Sequence, residues 1–226
     1  PDPPAAADYI VVESTYGDRC HDDVPPIETL ARIVDETIRR SGTVLIPSFA
    51  VGRTQTLLFC LYEAFRRDLT KRVPVYVNSP MATHVTDLFR TSFEEHRLNE
   101  LQADKICDIA RFVQSIKESR ALVERDEPAI VISASGMATG GRVLHHLKRI
   151  APDARNTILL PGFQAPGTRG DALARGAASI KIHGERIPVR ARVLQLDIYS
   201  AHADQNGLLD WLGACPRPPR GIFVTH

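Results

Sequence analysis

The stretch TVLIPSFAVGRTQTLLFCLYEAFRRD, residues 43–68, decides the fold class. It opens on a short β-branched run (43–46), passes through the small-residue turn IPSFAVGRTQ, and continues from Arg53 as an amphipathic segment to Asp68. A strand that turns tightly into a helix is the repeating unit of a parallel α/β sheet. The unit recurs outward in both directions. Candidate strands are 9–12, 43–46, 75–77, 129–133, 157–160, 179–182, 193–197 and 221–225, and candidate helices are 27–40, 53–68, 82–89, 114–122, 141–150, 171–175 and 205–212. In the first helix Ile27, Leu30, Ile33, Val34, Thr37 and Ile38 fall at steps of three and four and make one buried face, and Gly42 is placed as its C-cap. The Pro-rich ACPRPPRG reads as a bend before the last strand.

Composition narrows the class without naming a function. The 226 residues suit one large domain or two small ones, and 28 Lys and Arg stand against 27 Asp and Glu, so a hold on a polyanion must come from local clustering. No apolar run approaches the length of a membrane span, and PDPPAAADYI lacks the regions of a signal peptide, which reads as a cytoplasmic chain. Cys20, Cys60, Cys107 and Cys215 are too scattered for a zinc site or a disulfide framework and read as reduced and structural.

Four loops carry more signal. IPSFAVGRTQ, VNSPMATH, ISASGMATGGR and LPGFQAPGTRG each join a strand to a helix, and in a doubly wound sheet such turns gather at the carboxyl edge, where helix N-termini offer N–H groups to anions. Arg53, Ser135, Gly136, Arg142 and Arg169 are the candidate contacts there for a polyphosphate or sugar-phosphate chain. The plainer reading, that Gly and Ser are what tight turns require, stands beside this one for each loop taken alone. Neither the dinucleotide nor the P-loop glycine pattern occurs, which disfavours nucleotide-cofactor chemistry.

Taken in order, VVESTYGDR, LIPSFAVGRTQTLL, VYVNSPMA, IVISASGMATGGRVLHHL, LPGFQAPGTRG, IKIHGERIPVRARV and SAHAD closely resemble the bacterial β-CASP ribonucleases of the metallo-β-lactamase superfamily. These are relatives of the endonuclease subunit of the eukaryotic cleavage and polyadenylation specificity factor. The resemblance covers nearly the whole chain and implies a mainly parallel, doubly wound β-CASP cassette over 17–196. It also implies flanking strands (1–16 and 197–226) that belong to an incomplete metallo-β-lactamase domain. The family's H-x-H-x-D-H zinc motif is absent from this sequence, so the resemblance implies a piece that is inactive and binds no zinc by itself, while the whole protein holds two zinc ions and hydrolyses RNA.

Site residues follow from the same resemblance. Glu13 in ESTYG matches the family's acidic motif, His202 in SAHAD matches a histidine that protonates the leaving oxygen or holds the scissile phosphate, and His226 in FVTH matches a zinc ligand. Glu13 is expected to accept a hydrogen bond from His202 and favour its charged form. Asp204 is expected to cap the helix that follows it. His145 and His146 are expected to face solvent, and His183 to end a strand at a turn. Lys181, Arg186, Arg190 and Arg192 read either as phosphate contacts or as the charges of a solvated edge strand. The apolar YIVV and GIFV are expected to be exposed, to pair, or to join copies of the chain in a homodimer. RNA is the expected partner, with no membrane; a non-catalytic nucleic-acid-binding or dimerisation module and a DNA nuclease remain the alternatives.

Overall fold

The computed structural model describes residues 2–225. In chain order its elements are β1 (Tyr9–Glu13), α1 (Pro26–Ile38), β2 (Val44–Pro47), α2 (Arg53–Arg66), β3 (Val75–Asn78), α3 (Pro80–Thr91), α4 (Glu100–Cys107), β4 (Ala110–Phe112), α5 (Ile116–Val123), β5 (Ile130–Ser133), α6 (Val143–Ile150), β6 (Thr157–Leu160), α7 (Arg169–Ala174), β7 (Ser179–Ile182), β8 (Glu185–Pro188), β9 (Arg192–Gln195), α8 (Gln205–Gly213) and β10 (Gly221–Thr225). They form two compact units, one from Val24 to Tyr199 and the other made of the residues up to Asp23 and those from Ser200 onward.

In the larger unit six strands lie in the order β4-β3-β5-β2-β6-β9, and every pairing is parallel. Side chains alternate across this sheet. Val44, Ile46, Val75, Val77, Ile130 and Ile132 pack on one face with Leu57, Leu58 and Leu61 of α2, while Leu45, Tyr76, Val131, Ile158 and Leu160 pack on the other with Leu144 and Leu147 of α6. Strands covered on both faces must be apolar throughout, which is why β2, β3, β5 and β6 read as unbroken runs. The doubly wound α/β expectation is met. Strands β2 and β5 are neighbours, yet α2 leads away from β2 toward β3 on one face and α6 leads away from β5 toward β6 on the other. Such a reversal opens a crevice at the carboxyl edge.

Local chemistry explains the helix ends. Ser79 caps α3 ahead of Pro80, and Asn99–Gln102 and Ser115–Glu118 form reciprocal capping boxes at α4 and α5. Helix α4 and strands β4 and β8 go beyond the expected elements, because each is short and lacks a sustained apolar run. After α1, Ser41 rather than Gly42 takes the left-handed conformation (φ 55°), and Ser41 N–H to Ile38 O and Gly42 N–H to Thr37 O complete a Schellman ending. Gly42 is needed for a different reason: a Cβ there would lie 2.0 Å from the Arg155 carbonyl oxygen.

His183 and Gly184, both at positive φ, make the two-residue turn of the antiparallel β7–β8 hairpin, in which Lys181 faces Arg186. Lys181 and Arg186 thus sit on a solvated hairpin, whereas Arg192 opens β9 and pairs with Glu36. His146 corrects an expectation. It is 2% exposed, because residue 146 falls on the sheet-facing stripe of α6, and its Nε2 accepts from Asn78 Nδ2 at 2.7 Å. His145, one position round the helix, is exposed.

In the smaller unit β1 and β10 form a parallel pair, in register from Tyr9↔Gly221 to Glu13↔Thr225. As expected, YIVV and GIFV pair and stay largely exposed at Tyr9, Val11, Phe223 and Val224. Asp204 is the N-cap of α8, accepting from Gly207 N–H at 2.9 Å.

Candidate functional site

The smaller unit brings Glu13 and His202 together. Glu13 ends β1, and His202 lies in the turn before α8. His202 Nδ1 stands 3.2 Å from Glu13 Oε2 and 3.4 Å from the Thr15 hydroxyl. The same carboxylate oxygen accepts from Thr15 N–H at 3.0 Å and from the Thr15 hydroxyl at 2.9 Å. A carboxylate oxygen can only accept, so in the 3.2 Å pair with Glu13 the ring Nδ1 is the donor and carries a proton. Partial burial works against the charge on Glu13, but the two Thr15 donors and His202 outweigh it and hold the carboxyl below its usual range.

His21 and Thr15 escaped the sequence reading. His21 Nε2 donates to the His202 carbonyl at 3.0 Å, and its peptide N–H donates to Asp204 Oδ2 at 3.0 Å. Gln205 N–H to Arg19 O and the bridge between Tyr16 and Asp204 tie the same two segments. The Tyr16 ring, 1% exposed, lies 4.7 Å from that of His21. The signal was faint: both residues sit in or beside ESTYGDR, but nothing local says that a turn 181 residues away returns to them. His226 lies outside the described residues.

The larger unit gathers the four loops at the carboxyl ends of β2, β3, β5 and β6. Arg142 donates to Asn78 Oδ1, Val113 O and Gln114 O, and Arg169 donates to Lys181 O, Ala138 O and Thr139 O. Expected as phosphate contacts, both spend these donors on shaping loops. Ser135 Oγ accepts from Thr139 N–H and Gly140 N–H and so turns into its own loop. Gly136 packs under Phe49, and the Arg53 guanidinium lies against Gly162.

Residues 54–173, more than half of the chain, match the Beta-Casp domain. The chain belongs to the Beta-Casp family. Residues 186–226 of this Beta-Casp chain also match the Zn-dependent metallo-hydrolase RNA specificity domain. A Thermus thermophilus protein named as a ribonuclease is 38% identical over 100% of this chain and 53% of its own length. From Methanocaldococcus jannaschii, a protein named RNase J-like is 34% identical over 96% of this chain and 51% of its own length, and transcription termination factor FttA is 32% identical over 96% and 36%. The chain thus spans about half the length, or less, of these relatives. Among the described residues no group of three or more His, Cys, Asp or Glu side chains is arranged to hold a metal, so they do not make a zinc site by themselves. No helix among them is long and apolar enough to cross a membrane.

Proposed function

We propose that the whole protein to which this chain belongs is a zinc-dependent ribonuclease that hydrolyses RNA phosphodiester bonds, and that this chain is the part that grips RNA and supplies an acid–base pair. The observation that carries the reading is the 3.2 Å contact between Glu13 and His202. A histidine whose Nδ1–H is fixed by a carboxylate presents Nε2 in one orientation, ready to protonate a leaving oxygen or, as imidazolium, to hold a scissile phosphate. Glu13 keeps that ring oriented, and Thr15 keeps Glu13 ionised. His226 would be a zinc ligand, the rest of the two-ion shell coming from residues beyond those described.

On this reading 17–196 is the RNA-gripping cassette and its flanks belong to the metallo-β-lactamase domain. Arg53, Ser135, Gly136, Arg142 and Arg169 contribute to an edge along which the phosphates run: Arg142 and Arg169 by fixing the loops and adding positive potential, the loops by their backbone N–H groups. The protein is cytoplasmic, and copies of the chain pair through the exposed faces of β1 and β10. The test is cleavage of labelled single-stranded RNA by the full-length protein with zinc content measured alongside. Glu13→Gln and His202→Ala should each lower kcat by about 10²–10⁴-fold with zinc content unchanged. Unimpaired cleavage by His202→Ala would sink the assignment.

A further inference from the structure

We propose that Phe49 is a stacking platform for a nucleobase of single-stranded RNA, which deepens the RNA-gripping role just given and rests on it. Among the described residues three Phe, Tyr or Trp side chains stand exposed, Tyr9, Phe49 and Phe223. Tyr9 and Phe223 lie against each other on β1 and β10, ring centroids 6.1 Å apart, which leaves Phe49, 47% exposed, on the larger unit. Its position is built rather than incidental. The Phe49 carbonyl accepts from the Ser48 hydroxyl at 3.2 Å and the Thr54 hydroxyl at 2.8 Å, so the backbone that aims the ring is held from both sides. One side of the ring rests on Gly136: a Cβ there would lie 2.9 Å from Cδ2 and 3.0 Å from Cε2. The ring is therefore backed by main chain on one side and open to solvent on another.

Its location matters as much. Phe49 follows β2 and Gly136 follows β5, the adjacent strands whose helices depart on opposite faces, so the ring stands at the crevice that a doubly wound sheet offers to ligands. The turn it belongs to leads into α2, and the turn it rests on, Ser135–Gly140, is held rigid by its own hydrogen bonds: Thr139 and Gly140 N–H donate to Ser135 Oγ, and Ala138 N–H donates to Ser135 O. A rigidly backed aromatic face on the same sheet edge as the loops that carry Arg53, Arg142 and Arg169 is the pairing by which proteins hold single-stranded nucleic acid, with bases stacked on rings while phosphates follow a cationic groove. A Phe supplies the π face without a hydrogen bond, so the contact accepts any base and reads none.

The experiment is equilibrium binding of fluorescein-labelled short oligouridylate, oligoadenylate and an abasic ribose-phosphate oligomer to this chain, by anisotropy across a salt series. The wild type should bind the base-bearing oligomers more tightly than the abasic one. Phe49→Ala and the volume-retaining Phe49→Leu should weaken base-bearing oligomers by about 5- to 150-fold and the abasic oligomer hardly at all. The slope of log affinity against log salt should stay unchanged, since stacking releases no counterion. Phe49→Trp should retain affinity and show indole fluorescence quenched by base-bearing oligomers only. Equal affinities of wild type and Phe49→Leu overturn the stacking role. If the wild type binds base-bearing and abasic oligomers alike in a salt-dependent way, stacking fails while phosphate gripping stands; if it binds none of them, both fail.

Discussion

Thr15 grips the Glu13 carboxylate twice, through its peptide N–H and its hydroxyl, and that grip rather than His202 alone keeps the carboxyl ionised. Replacing the hydroxyl, as in Thr15→Val, should move the Glu13 midpoint upward in a carbon-detected NMR titration; an unmoved midpoint would remove Thr15 from the account. The sign for stability follows from the downward shift: Glu13 contributes above its unfolded pKa, and the contribution is lost as pH falls through the folded one. His146 titrates in the opposite chemical sense with the same outcome. Burial pushes it down to about 4, so below roughly pH 6.5 the unfolded chain takes up a proton that the folded one refuses. Stability should therefore drop between about pH 6.5 and 4, by an amount on the order of 3 kcal/mol at most. Urea midpoints measured at both ends of that window check this. His146→Leu should shrink the drop while costing about 1–3 kcal/mol at pH 7, because Asn78 Nδ2 loses one of its two acceptors and keeps only Ser119 Oγ. Glu13, His202 and Asp204 were legible as residues, since short motifs name them. That His146 is buried was not, since the sequence does not say which face of a polar-looking helix meets the sheet.

Elements were legible where many residues agree. The buried strands β2, β3, β5 and β6 announce themselves because both faces are covered, and α1 and α2 because their apolar stripes run three turns or more. Helix α4 lacks that redundancy: only Ala103, Ile106 and Cys107 are buried over its eight residues, although Asn99 and Gln102 spell a capping box. The end of α1 makes the clearest elemental test, because two adjacent residues should respond with opposite signs. Ser41→Gly should raise thermal stability by up to about 1 kcal/mol, since glycine adopts φ 55° without steric cost. Gly42→Ala should lower it by roughly 1–3 kcal/mol, since the Arg155 carbonyl occupies the space of the new methyl group. Thermal melts of the two variants decide it; a stabilised Gly42→Ala would mean that the loop carrying Arg155 yields.

For the molecule as a whole, the exposed apolar side chains of β1 and β10 are the outstanding liability. A two-stranded sheet with Tyr9, Val11, Ile222, Phe223 and Val224 open to water has unpaired edges and an uncovered face. Light scattering should show association that grows with concentration, and Phe223→Lys should reduce it without altering the melting behaviour of the larger unit. A wild type that stays monomeric at high concentration would count against pairing through these strands.

Hydrophobic period, turn residues and motif order, read from the sequence by itself, determined the parallel doubly wound sheet and the family resemblance, and named Glu13 and His202 as candidates and Asp204 as a helix cap. These signals are local: a strand covered on both faces and a helix cap are properties of consecutive residues. Only the tertiary structure decided that Thr15 and His21 hold the candidate pair, that Arg142 and Arg169 are spent on loop carbonyls, that His146 is buried, and that Phe49 stands open over Gly136. Each of these depends on which distant segments come to lie side by side, and a hydrogen bond or a ring contact acts over a few ångströms in space regardless of separation along the chain.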